Sequence, residues 1–363
     1  MQSTIGVIGP AGSGKTTLAA AVAATVGRLR AWAPFDWADP ASYASDVVTG
    51  RVQPACCILV LSAADGVTRE AEEHVRLARE AGIPQVVVFV NKADLLDDPE
   101  LRDVTWEEVR ELLRRHGYAR ARMPVVFGSA LKDEASVEEL VAAVDGLPAP
   151  ARDVDGLFLM SAQDVFAVSR HGAGVVPWAK ELLGPLGPGT LVVGCIERGV
   201  AVPGQYVEIV GSVPARTARI LGLVQPHERL ERAGAGTHVG VLLDAGPQAG
   251  LARGQVLAEP GSVTAHTAFG GLVSFMTAEE CDRPLVFPST GPRVGQFHIR
   301  TESLSGDVTG LRRDGMDVEN AAAGVHSVTV RLARPVALEE GLRFSVREGG
   351  QAVGSGVVTA ILP

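Results

Sequence analysis

No apolar stretch in this sequence is long enough to cross a membrane; the longest, such as residues 85–90, are strand-sized, against the roughly 20 residues a span needs. The first residues run straight into a strand pattern, with no basic stretch, apolar segment and small-residue cleavage site in succession, so the expectation is a cytoplasmic chain without an export signal. Cysteine is scarce. Cys56, Cys57, Cys195 and Cys281 show no metal-ligand spacing, and Cys56 and Cys57 sit side by side in an apolar run where successive side chains point to opposite faces of a strand. Buried, reduced thiols are the expected outcome. Positive charge is also short: Lys+Arg 33 against Asp+Glu 42 gives a formal charge of −9, which argues against a protein that coats DNA or RNA by charge alone. A shaped site with a few local cations is compatible with that balance.

What is present is a soluble composition, hydrophobic 46% and charged 21%, punctuated by 42 glycines over 363 residues. That length exceeds one ordinary core and predicts two or three domains. Strand and helix signals alternate through the first 150 residues: strands over 4–8, 55–62, 85–90 and 124–128, helices over 15–26, 70–81, 106–116 and 136–144. Such alternation predicts a mostly parallel sheet covered on both faces. At Leu147-Pro-Ala-Pro-Ala-Arg152 the texture changes to short β-branched runs between Gly, Pro and Asp turns, as in residues 205–210, 237–243 and 326–331. These predict barrels or sandwiches, and a break near 258–262 predicts two of them. The expected division is 1–150, 151–257 and 258–363.

Gly9-Pro-Ala11-Gly12-Ser13-Gly14-Lys15-Thr16-Thr17 fits the phosphate-loop pattern, with a strand before and a helix after. Backbone N–H groups there can surround a β-phosphate, Lys15 would reach the β/γ oxygens and the Thr16 hydroxyl would bind Mg²⁺. Asn91-Lys92-Ala93-Asp94 follows a strand and distinguishes the bases: the Asp94 carboxylate accepts from N1–H and N2–H₂ of guanine, a donor pair that adenine lacks. Gly128-Ser129-Ala130-Leu131-Lys132 follows the next strand and offers a backbone N–H to guanine O6. Three motifs in order, each after a strand, predict a GDP or GTP site.

With these motifs stand Val48-Thr-Gly50, Ala64-Asp-Gly66, Asp164-Val-Phe166, Ile196-Glu-Arg-Gly199, Val207-Glu-Ile-Val-Gly211, Val239-Gly-Val-Leu-Leu243, Arg253-Gly-Gln-Val-Leu257 and Arg347-Glu-Gly-Gly350. Together they resemble the elongation factor Tu family over nearly the whole chain. The resemblance implies an α/β P-loop GTPase domain followed by two all-β barrels, with Mg²⁺ at Thr16 and Asp36. It also implies aminoacyl-tRNA as cargo and the ribosome as partner. Tyr43, Phe166, Arg253, Arg347, Gly349 and Gly350 match the family's tRNA-facing positions, and His238 stands where the family has the asparagine of its amino-acid pocket.

The departures cluster on the γ-phosphate side. Only 21 positions separate Lys15 from Asp36, less than half the family's interval, so the first switch segment and its Mg²⁺-binding threonine have no room. The second switch reads Asp36-Trp-Ala-Asp39-Pro40 against the family's Asp-x-x-Gly-His. Asp39 replaces a glycine whose N–H binds the γ-phosphate, and sets negative charge beside an anion. Pro40 replaces the histidine that positions the attacking water, and proline offers neither a side-chain donor nor an N–H. Phosphoryl transfer rests on positioning and electrostatics, so these losses predict hydrolysis slowed on the order of 10³-fold or more.

Further departures fall on the RNA side. Ser45-Asp46 replaces a Lys-Asn pair near the tRNA 5′ end, and Val224 replaces the barrel glutamate that packs on the terminal adenosine. Residues 175–189 read as an insertion in which Pro177 opens a short helix carrying Trp178, Leu182 and Leu183. It is either a loop folded back on its own barrel or a contact surface for a dedicated protein partner. Arg114, Arg115, Arg120 and Arg122 read as a solvated helix end. The leading expectation is a hydrolysis-poor relative of elongation factor Tu. The alternative is a regulatory or scaffold protein on a retired GTPase fold.

Overall fold

The computed structural model describes residues 3–26, 32–36, 54–80, 82–95, 99–118, 123–148, 151–168, 182–211, 214–225, 228–246, 250–275, 293–318, 324–348 and 351–363. The described residues form two compact units, one before Arg152 and one from Arg152 to Pro363.

In the first unit five strands, β1 (Ser3–Ile8), β2 (Trp32–Asp36), β3 (Cys56–Ser62), β4 (Val86–Asn91) and β5 (Val125–Phe127), pair in the order β2-β1-β3-β4-β5, all parallel. Among the described residues four helices accompany them: α1 (Lys15–Val26) follows β1, α2 (Arg69–Glu80) follows β3, α3 (Pro99–Arg115) follows β4 and α4 (Glu134–Asp145) follows β5. β3 and β4 are buried along their whole length, as a sheet covered on both faces requires. Ile5, Val7, Leu18, Val22, Ile58, Val60, Val87, Phe89, Val137 and Leu140 form one core between sheet and helices. The chain leaves β1 toward β2 on one side and resumes with β3 on the other. That reversal opens a crevice at the carboxyl ends of β1 and β3, where α/β sheets bind ligands.

Two details differ from the sequence reading. Trp32–Asp36 is a strand although Pro34 interrupts it; the strand lies at the sheet edge, where a missing N–H is tolerated. α3 begins at Pro99, seven residues before the expected start, because proline is favoured in a first helical turn whose N–H groups have no intrahelical acceptor. None of the described helices is long and apolar enough to cross a membrane.

The second unit is antiparallel throughout its described pairings. Its first half holds β6 (Leu159–Val168), β7 (Gly189–Arg198), β8 (Val200–Ala201), β9 (Tyr206–Val210), β10 (Arg216–Gln225), β11 (Glu228–Leu230), β12 (Ala233–Gly234), β13 (His238–Leu243) and β14 (Val256–Ala258). β10-β13-β7-β6-β14-β9 closes on itself through a β9–β10 pairing, giving a six-stranded barrel. The second half holds β15 (Thr264–Phe275), β16 (Arg293–Ile299), β17 (Glu302–Arg313), β18 (Met316–Asp317), β19 (Gly324–Leu338), β20 (Arg343–Glu348) and β21 (Gln351–Leu362). Here β16-β20-β21-β15-β19-β17 closes through β16–β17. Alternation fills each barrel: Val192, Ile220, Val239, Val241 and Leu257 point into the first, Phe269, Phe297, Val330 and Phe344 into the second.

Cys56, Cys57 and Cys195 are free and buried. Burial pushes the Cys56 and Cys195 thiols up to about 12 and Cys57 well above its ordinary value, so all three stay protonated and inert. Cys281 lies outside the described residues.

The described end of the insertion folds back on the first barrel. Leu183, 1% exposed, packs with Val168, Leu191, Val224 and Leu242, and Leu182 and Leu186 flank it. These barrel residues alternate with the inward ones and so form the outer face. Gly222 makes room, since a Cβ there would lie 2.4 Å from Leu186. Arg229 Nε donates to the Leu182 carbonyl at 2.6 Å and pins the segment. Pro177 and Trp178 lie outside the described residues.

Candidate functional site

The loop between β1 and α1 holds its shape through backbone that only glycine adopts cheaply. Gly9, Gly12 and Gly14 have φ of 144°, 74° and 93°. A Cβ on Gly9 would come within 2.2 Å of the Val60 carbonyl oxygen, so the loop lies tight against β3. Lys15 turns back over the loop, its Nζ donating to the carbonyls of Gly9 at 2.7 Å and Pro10 at 2.8 Å. Ser13 Oγ is buried and has no hydrogen-bond partner among the described residues. Thr16 and Thr17 lie exposed in the first turn of α1, where unpaired N–H groups and the helix dipole favour an anion. A glycine cradle, a lysine and a helix N-terminus fit a polyphosphate.

Two loops at the ends of β4 and β5 are tied to this cradle. Asn91, 5% exposed, is the last residue of β4. Its Nδ2 donates to the Ser13 carbonyl at 2.9 Å while its Oδ1 accepts from the Ala130 N–H at 2.9 Å. One side chain therefore binds both the phosphate loop and the Ser129–Ala130 loop. Lys92, at φ 60°, sends Nζ to the Gly12 carbonyl at 2.8 Å. The Ala93 N–H donates to the Gly128 carbonyl at 2.9 Å, closing the pair of loops. Asn91→Ala would strip the partners from two loop groups at once. The expected loss in the first unit is about 2 kcal/mol, read from urea unfolding, and an unchanged midpoint would refute the bridge.

Asp94 lies in the turn Ala93–Leu95, with Oδ2 accepting from Lys132 Nζ at 2.7 Å. Hydrogen bonds from Lys132 first and Ser129 second hold its carboxyl below the usual range, so it is ionised at neutral pH. Leu131 beside it is 80% exposed, a bare apolar surface where a planar ring would gain cover. The Ala130 N–H is already given to Asn91 Oδ1, so a base oxygen at that point would share the donor.

Asp36 ends β2 and pairs with Val7, which places it on the same carboxyl edge of the sheet as the loop and Thr16. Asp39, Pro40, Tyr43, Gly349 and Gly350 lie outside the described residues. In the second unit Phe166 packs half-buried in the outer apolar cluster. His238 opens β13 with Nε2 2.9 Å from Gln163 Oε1, an ordinary hydrogen-bonded histidine. Arg253 donates from Nε to the Thr301 carbonyl at 3.0 Å. Burial first, then the charges of Arg347 and Arg253, lower the pKa of His298 to about 4, so these two arginines share one neighbourhood.

One residue escapes the motif reading. Glu70, in the first turn of α2, accepts the Ala11 N–H of the phosphate loop at 3.0 Å through Oε1. His74 Nε2, one turn further on and buried, is 3.9 Å from the same oxygen. No local pattern marks this contact, because it joins residues 59 positions apart.

Comparison with known families gives three matches. The elongation factor Tu GTP binding domain matches residues 36–149, elongation factor Tu domain 2 matches 189–258, and the elongation factor Tu C-terminal domain matches 262–362. The phosphate loop precedes the first match and stands on its own geometry.

Proposed function

This chain belongs to the elongation factor Tu family, and on that premise we propose that it is a guanine-nucleotide-binding protein of the cytoplasm with impaired GTP hydrolysis. The domain limits that go with the reading are 1–150, 151–257 and 258–363. The carrying observation is the Asn91 bridge, which joins phosphate loop and base loops into one cradle beside an ionised Asp94. In it Gly9–Thr17 would hold the phosphates, Asp94 and Ala130 the guanine edge, and Lys92 and Leu131 the ring faces. Mg²⁺ would be held by the Thr16 hydroxyl and, through water, by Asp36, where it neutralises phosphate charge.

The short interval before Asp36, with Asp39 and Pro40 where the family has glycine and histidine, supports slow hydrolysis. Calorimetry with GDP and GTP, followed by phosphate release with and without ribosomes, tests both parts. Micromolar GDP binding with little phosphate released is expected. No nucleotide binding would sink the first part, and ribosome-stimulated release at an ordinary translational rate the second.

Aminoacyl-tRNA is the cargo the family supports, and Arg253 and Arg347 supply cations for its phosphates. One observation favours the alternative of a scaffold with a dedicated protein partner: Val224, aligned with the family's adenosine-packing glutamate, is fully buried in the cluster that Leu183 covers. An aminoacyl-ester protection assay separates the readings. Protection supports delivery of aminoacyl-tRNA, and an ester as labile as in buffer supports the scaffold.

A further inference from the structure

The phosphate loop has two distinguishable ends. Lys92 and Asn91 reach Gly12 and Ser13 from the base side. Lys15 reaches Gly9 and Pro10, and a lysine at this motif position serves the β/γ oxygens. The stretch from Gly9 to Ala11 is therefore the terminal-phosphate end. Glu70 meets the loop there, accepting the Ala11 N–H at 3.0 Å.

Its position is fixed by the start of α2. Thr68 Oγ1 accepts the Ala71 N–H at 3.2 Å and the Thr68 carbonyl accepts the Glu72 N–H at 3.1 Å, which orients the first turn toward the loop. A backbone N–H of this loop is the kind of donor that holds phosphate oxygens, and here it already holds an anion.

We propose that Glu70 sets the phosphorylation state this site prefers, favouring a guanosine diphosphate over the triphosphate. The inference rests on the guanine-nucleotide reading above. A diphosphate fills the loop as far as the β position and leaves the Ala11–Glu70 contact in place. A third phosphoryl group brings further negative charge to the end where the carboxylate sits, and repulsion between like charges a few ångströms apart is unfavourable unless the carboxylate swings away and gives up its hydrogen bond. Both routes penalise the triphosphate alone.

Glu70→Gln separates this role from a simple latch, because the amide oxygen still accepts the Ala11 N–H while the charge is gone. The side chain is 45% exposed, so the substitution leaves the fold intact. The measurement is the affinity for GDP and for a non-hydrolysable GTP analogue in the full chain with Mg²⁺. The expected result is a shift of about tenfold in the affinity ratio toward the triphosphate, about 1.4 kcal/mol, with GDP affinity nearly unchanged. Glu73→Gln removes the same charge from the same helix and should leave the ratio alone. An unchanged ratio in E70Q with GDP still bound overturns the inference and spares the nucleotide site. An equal shift in E73Q overturns it too, by showing a general charge effect. Failure of the unsubstituted chain to bind GDP overturns the nucleotide reading itself.

Discussion

Asp94→Asn is expected to weaken GDP on the order of 10³-fold and to move the preference to xanthosine diphosphate. The carboxylate has two acceptor oxygens and no donor. Guanine presents two donors on that edge, so both contacts are made to a charged acceptor, the stronger kind of hydrogen bond. Asparagine offers one acceptor and one donor pair. Its N–H₂ faces the guanine amine, donor against donor, while xanthine places a carbonyl at that point and restores the match. Because Asp94 lies on a short surface turn, its replacement leaves the core of the first unit untouched. Titration calorimetry with GDP, xanthosine diphosphate and ADP reads the outcome. A D94N protein that binds GDP as tightly as the unsubstituted chain would remove the guanine assignment. The lowered pKa adds a sign: the ionised form binds, so affinity is flat down to the ordinary value of 3.8 and falls only as pH drops through the lower value held by Lys132 and Ser129.

The phosphate loop and the Asn91 and Ser129 loops were legible because their chemistry is local. Gly9, Gly12 and Gly14 are demanded by backbone angles within six residues, and Asn91 stands at a strand end where its neighbours already announce β structure. The parallel sheet was legible from continuous apolar runs alternating with helical stretches, apart from β2, whose Pro34 hides a strand that only its edge position permits. Glu70 was not legible. It is one acidic residue in a helix whose first turn also holds Glu72, and acidic first turns are common for dipole reasons alone. Its contact with Ala11 exists only once α2 packs beside the loop. The closure of each barrel was equally hidden, since alternation shows which residues face inward and says nothing of which strands meet. The insertion stood between two readings. For its described end the choice falls on Leu183 and Leu186, which find Val224 and Gly222 on the outer barrel face.

Arg300→Gly is expected to destabilise the second unit by about 3–5 kcal/mol, the cost of breaking a buried ion pair from one side. Arg300 follows β16 in the two-residue turn to β17, at φ 52° and 3% side-chain exposure. Its Nε donates to Glu197 at 3.0 Å, Nη1 to the Ala337 carbonyl at 2.7 Å and Nη2 to Glu339 at 2.9 Å. Glu197 belongs to β7, so one guanidinium links the turn of the second barrel to a strand of the first. Arg198 Nη1 reaches the same Glu339 at 2.7 Å from β7 as well.

Glycine suits the left-handed backbone better than arginine, so any loss in this variant comes from the guanidinium and not from strain. Removing it leaves Glu197 and Glu339 with less positive charge and the Ala337 carbonyl without its donor. Arg300→Lys keeps the charge but not the planar fork, and should recover only part of the loss. Burial alone would raise the Glu339 pKa, yet the Arg198 hydrogen bond and the Arg300 charge outweigh it, and the carboxyl is held below 4.5. A depressed folded value contributes stability that is complete above 4.5 and is lost as pH falls through the lower value. Thermal unfolding of the full chain between pH 7 and pH 3 should therefore show a Glu339 contribution to the acid decline below pH 4.5 that R300G reduces. Equal melting of R300G and the unsubstituted chain at pH 7 would mean that the pairing seen between the barrels contributes nothing, and that Thr301 Oγ1 on the Ala162 carbonyl at 2.6 Å and apolar contacts hold them instead.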